Sequence, residues 1–158
     1  MHLVLDANEY IFGFGNSRKP SCERLLDEIA AKPDKHFVSI CRPTLEEIGR
    51  HLLPRQLGEV HALFADLGVE IDERWAIPFE CVERYIAKGL KRGDAFLAGY
   101  TEWVGADCLI SENRKDLVDH PELFPFKVRT AEQFLREPRK NTTAPRGPRL
   151  RARASPRP

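Results

Sequence analysis

Five short apolar runs punctuate the chain, at residues 3–5, 37–40, 69–71, 108–111 and 126–129. Several are continuous enough to be buried on both faces, as the strands of a parallel sheet are. Between them the apolar residues recur every three or four positions, which predicts helices. Residues 20–30 align Leu25, Leu26, Ile29 and Ala30 on one face, behind Pro20. Pro43 suits the first turn of a second helix carrying Leu45, Ile48, Leu52 and Leu53, and Pro54 ends it. Residues 56–67 repeat the pattern with Gly68 as a stop, and residues 79–90, 94–104 and 131–135 supply three more helices.

Strands alternating with helices predict an α/β fold, a three-layer α/β/α sandwich with a central parallel sheet and right-handed crossovers. In open sheets of this kind the working crevice lies beyond the carboxyl ends of the strands. Asp6 closes the first run, and the segment from Asn113 to Asp116 follows the fourth. Asp94 opens the helix before that fourth strand, where Gly93-Asp94-Ala95 also makes a good helix cap. Glu47 lies in Leu45-Glu46-Glu47-Ile48, on a helix that follows the second strand, so all four positions are able to converge on one edge.

Acids at the ends of buried strands are costly unless a cation meets them. Magnesium and manganese take oxygen ligands, keep several waters and are held by a few carboxylates, so widely separated single acids suffice. Such a site activates water and neutralises charge on a phosphate. Asn8 and Ser111 add neutral oxygens that orient a ligand or a water. Lys91, Arg92, Arg114 and Lys115 flank the acids and are candidates for backbone phosphate contacts.

At 158 residues, 42% hydrophobic and 31% charged, the chain is sized for one domain with a real core. The net charge of +1 conceals an asymmetry, because seven of the 25 basic residues and no acid lie within residues 139–158. Residues 1–138, the expected folded body, therefore hold 18 basic against 24 acidic residues. A body of that sign repels nucleic acid unless its acids are neutralised, again by metal ions. The Pro- and Arg-rich stretch at 139–158 lacks the apolar residues to order itself and is expected to be a disordered tail.

Cys22, Cys41, Cys81 and Cys108 show no paired spacing and read as reduced, buried thiols. With no basic leader and no run long enough to span a bilayer, a soluble cytoplasmic protein with no membrane association is expected. The five histidines lack metal-ligand spacing and read as surface or supporting residues, and Trp75 and Trp103 as packing.

Taken in order, Leu5-Asp6-Ala7-Asn8, Leu45-Glu46-Glu47-Ile48, Gly93-Asp94-Ala95 and Ala106-Asp107-Cys108-Leu109-Ile110-Ser111-Glu112-Asn113-Arg114-Lys115-Asp116-Leu117 resemble the PIN domain, and within it the VapC-like ribonuclease toxins of type II toxin–antitoxin systems. The likeness covers roughly residues 1–135. It implies a metal-dependent endoribonuclease that uses Mg2+ or Mn2+, acts on RNA, is restrained by a cognate antitoxin and often forms a homodimer. Carried over, Asp6 matches the family's first acid, Glu47 the helical acid and Asp94 the acid of the Gly-Asp-Ala turn. Asn113 stands where many members have aspartate, leaving Asp116 to replace or support that charge. Glu46 competes with Glu47, which is preferred because Leu45 and Ile48 suit the buried side. The resemblance also accommodates an RNA-processing nuclease without an antitoxin, or a non-catalytic RNA- or protein-binding module. A Mg-dependent phosphatase is the rival outside the family, although Asn8 occupies the place of its usual second acid.

Overall fold

The computed structural model describes residues 1–72 and 77–136, so Trp75 and the stretch at 139–158 lie outside the described residues. In chain order the elements are β1 (His2–Leu5), α1 (Ala7–Phe14), α2 (Pro20–Ala30), β2 (Phe37–Cys41), α3 (Arg42–His51), α4 (Pro54–Leu67), β3 (Glu70–Asp72), α5 (Phe79–Ala87), α6 (Arg92–Trp103), β4 (Cys108–Ile110), β5 (Lys127–Arg129) and α7 (Ala131–Arg136). A π-helical turn at Arg114–Val118 and a 3-10 turn at Pro121–Leu123 connect β4 to β5.

The strands form one parallel sheet in the order β3-β2-β1-β4-β5. Alternation of side chains divides the core in two. Leu3 and Leu5 of β1, Val38 and Ile40 of β2, and Cys108 and Ile110 of β4 face a layer built from α1, α2, α3, α4 and α7. Val4, Cys41, Leu109 and Val128 face the opposite layer, where Tyr85 of α5 and Ala95, Ala98 and Tyr100 of α6 are buried. The protein is thus an α/β/α sandwich with a central parallel sheet, and every strand but the edges is covered on both faces.

Two local readings change. The helix α1 has no counterpart in the expected elements, because its eight residues include Asn8, Glu9 and Gly13, which break the apolar period. It forms nonetheless, since Ala7 and Tyr10 pack into the core. Pro54 does not merely end a helix: α3 stops at His51, and Pro54 occupies the first turn of α4, where its missing N–H is harmless. Gly68 closes α4 in the left-handed conformation at φ 57°, as a terminal glycine should. All four cysteines are free, with Cys22, Cys41 and Cys108 buried and Cys81 half-buried. His2, one of the histidines read as surface or supporting residues, is buried, with Nε2 2.8 Å from Ser39 Oγ. Trp103 is half-buried against the second core half.

Candidate functional site

The chain builds outward from β1 through β2 to β3, then returns to the other side of β1 to add β4 and β5. The direction of building reverses between β1 and β4, and their carboxyl ends diverge there into a crevice. Leu5 pairs with Ile110 in that last register, and the Asp6 N–H donates to the Ile110 carbonyl at 2.9 Å. Asp6 and Ser111 consequently leave adjacent strands side by side.

Asp6 begins α1 in an extended conformation, yet its carboxylate does not cap the helix. Oδ2 instead accepts a 2.6 Å hydrogen bond from Ser111 Oγ, and Asn8 Nδ2 reaches the same oxygen at 3.5 Å. Burial raises the Asp6 pKa despite the Ser111 hydrogen bond, and the charge of Glu47 raises it further. Glu47, half-buried, is the α3 acid whose charge reaches Asp6. Glu46 is exposed and pairs with Arg42 Nε at 3.3 Å, one turn back on the same helix.

Ser111 Oγ also accepts the Asn113 N–H at 3.1 Å, and the Asn113 side chain extends the chain of contacts in both directions. Its Nδ2 donates to Asp94 Oδ1 at 3.0 Å, and its Oδ1 accepts the Asp116 N–H at 3.2 Å. Asparagine is the residue able to do both, because an ionised aspartate has no proton to offer Asp94. Asp94 lies in the first turn of α6 but does not cap it; Lys91 holds the cap position. Burial raises the Asp94 pKa against the Asn113 hydrogen bond, and the charges of Asp116 and Asp6 add to the rise. Asp116, by contrast, is held below the usual range, chiefly by the hydrogen bond from Lys91 Nζ at 3.2 Å.

Asp6, Asn8, Ser111, Asn113, Asp94, Asp116 and Lys91 thus form one connected set, with Glu47 in electrostatic reach of Asp6. Arg92, Arg114 and Lys115 are exposed around its rim. Two half-buried carboxylates, Asp6 raised by burial and the charge of Glu47 and Asp94 by burial and the charges of Asp116 and Asp6, make a place that favours a cation. The acids offer oxygen alone, which suits a hard divalent cation that retains several waters.

A second cluster went unread in the sequence. Glu9, one helical turn beyond Asp6, is fully buried, and neither carboxylate oxygen has a hydrogen-bond partner. Burial, then the charge of Glu112, pushes its pKa up to about 8. The Cys22 thiol is close enough to pull that value down without reaching hydrogen-bonding geometry. Among the described residues, Glu9, Cys22 and Glu112 are the group whose ligand atoms all lie within 4.8 Å of one another. The visible signal was a lone charge at Glu9 beside Tyr10, Ile11 and Phe12; its partners at 22 and 112 share no motif with it.

No family model matches the sequence, and no curated protein does. Solved structures do share the fold. The structure of VapBC2 from Rickettsia felis bound to a DNA fragment from their promoter superposes with a TM-score of 0.57 at 16% identity, covering 82% of this chain and 98% of that one. FitAcB from Neisseria gonorrhoeae gives 0.55 at 12% identity with the same coverage, 82% and 98%. No helix among the described residues is long and apolar enough to cross a membrane.

Proposed function

We propose that this chain is a Mg2+- or Mn2+-dependent endoribonuclease and the toxin half of a toxin–antitoxin pair. The observation that carries the reading is the gathering of Asp6, Glu47, Asp94 and Asp116 at the β1/β4 crevice through Ser111 and Asn113. Both similar structures are toxin–antitoxin assemblies, which supports an antitoxin partner and the possibility of a homodimer contact.

Asp6 and Asp94, with Asp116 beside them, are the residues that would hold the cation. When bound it supplies a Lewis acid, lowering the pKa of a coordinated water and offsetting charge on the scissile phosphate. The chain's own groups do the rest. Ser111 fixes the Asp6 carboxylate by a short hydrogen bond, and Asn113 fixes Asp94. Glu47, facing Asp6, accepts the proton of the attacking water as its oxygen bonds to phosphorus. The bond from phosphorus to the departing ribose oxygen breaks, and that oxygen takes a proton from solvent. Arg92, Arg114 and Lys115 hold flanking phosphates without reading bases.

The test is cleavage of a structured RNA by the purified chain with Mn2+ present or removed by a chelator. Asp6→Asn and Asp94→Asn keep the fold, checked by circular dichroism, and lose cleavage. Full activity in both variants removes the proposal. Growth arrest on expression, relieved by Asp6→Ala, separates a toxin from a processing nuclease.

A further inference from the structure

The buried trio behind the crevice is unlike the oxygen-only set in front of it. Glu9 comes from α1, Cys22 from the first turn of α2, and Glu112 from the segment leaving β4. Two helices and the segment after β4 supply the donors. Cys22 is fully buried, as is Glu9, while the Glu112 side chain keeps 15% of its exposure and forms the mouth. Glu112 is already oriented: Oε1 accepts the Ala131 N–H at 3.2 Å, and Oε2 accepts from Lys19 Nζ at 3.3 Å. Glu9 aims two unpartnered oxygens into the same space. A buried carboxyl without a hydrogen-bond partner is costly for a core to hold, and it becomes a carboxylate there only where a cation meets it.

From these contacts we infer that Glu9, Cys22 and Glu112 form a second metal site, selective for a borderline cation of the zinc class over magnesium. A four-coordinate zinc ion places oxygen and sulfur donors about 3.5 Å apart, so a set already within 4.8 Å closes by side-chain adjustment alone. The thiolate sets the preference, because sulfur ligands favour zinc-class ions whereas magnesium demands oxygen. Charge balances as well. Two carboxylates and a thiolate carry three negative charges, the dication two positive, and Lys19 supplies the last. Three protein donors leave one coordination position for water at the Glu112 mouth. Because Glu112 sits between Ser111 and Asn113, an ion there would pin the segment that positions Asp6 and Asp94.

The experiment uses the full chain, freed of metal by chelator dialysis and titrated with Co2+ as a spectroscopic stand-in. A near-ultraviolet thiolate-to-cobalt charge-transfer band is expected, together with the visible bands of a four-coordinate ion. Zn2+ in equimolar amount bleaches both; a hundredfold excess of Mg2+ does not. Cys22→Ser removes the charge-transfer band, Glu9→Gln weakens cobalt binding at least about tenfold, and Cys81→Ser changes nothing. Asp6→Asn also retains the spectrum, which separates this site from the proposed catalytic one whether or not RNA is cleaved. The inference is overturned if the wild-type chain shows no thiolate band at saturating Co2+. Persistence of the band in Cys22→Ser, or its loss in Asp6→Asn, overturns it equally.

Discussion

Replacing Glu9 by glutamine should change how stability depends on pH more than it changes stability itself. In the metal-free fold the carboxyl titrates at about 8, against 4.5 for a free side chain. The folded state therefore holds this proton more tightly than the unfolded chain does. Its contribution is fully present below pH 4.5, declines as pH rises, and is gone above about 8. Inside that window the slope approaches 1.4 kcal/mol per pH unit, so the whole interval is worth at most about 5 kcal/mol. Glutamine has no proton to lose. It also leaves a neutral amide without partners, a cost of about 1–3 kcal/mol that is the same at every pH. The wild-type curve should then fall relative to the Glu9→Gln curve as pH rises, closing the gap if it starts higher and widening it if it starts lower. Urea unfolding in a chelating buffer, at half-unit steps from pH 5 to 8.5, measures both slopes. Curves that stay parallel to within about 1 kcal/mol would refute the assignment of the titration to Glu9.

Three further outcomes are expected. Ser111→Ala removes the 2.6 Å hydrogen bond that opposes the rise in the Asp6 pKa, so the pH–rate profile for RNA cleavage should move alkaline. Asn113→Asp exchanges the donor facing Asp94 Oδ1 for another carboxylate; melting in chelator at pH 7.5 should show a loss of about 1–2 kcal/mol, and Mn2+ should recover part of it. Gly58→Ala has open space around the new methyl and should stabilise α4 by about 0.5–1 kcal/mol, whereas the same change at Gly99 meets the Cys81 and Val82 backbone at 3.3 Å and should forfeit that gain in denaturant unfolding.

The sheet is legible in the sequence because β1, β2 and β4 are buried on both faces and so are apolar throughout except for His2 and Ser39, which bond to each other. Helix α1 is not, since Glu9 and Gly13 are paid no attention by an amphipathic template; what holds it is Tyr10 against Phe64, a contact across 54 positions. The strand ends place Asp6 and Ser111 at one edge before any coordinates are known. That Ser111 grips Asp6 and Asn113 grips Asp94 depends on side-chain direction, which spacing does not encode. Leu45 and Ile48 mark the buried side of α3, and of the two neighbouring acids Glu46 is exposed whereas Glu47 is half-buried with its charge in reach of Asp6. The Glu9, Cys22 and Glu112 trio has no such cue, as its members come from two separate helices and the segment after β4.

Strand β1 precedes the other described elements along the chain and lies in the middle of the finished sheet. Its neighbour on one side, β2, follows soon after, but Asp6 and Ser111 are separated by 105 residues. Throughout elongation Leu3-Val4-Leu5 therefore offers a bare apolar edge, the kind that recruits stray strands or a chaperone. A chain interrupted before β4 lacks Ser111 and Asn113 and so has no assembled crevice, while the bare edge of β1 stays open to aggregation.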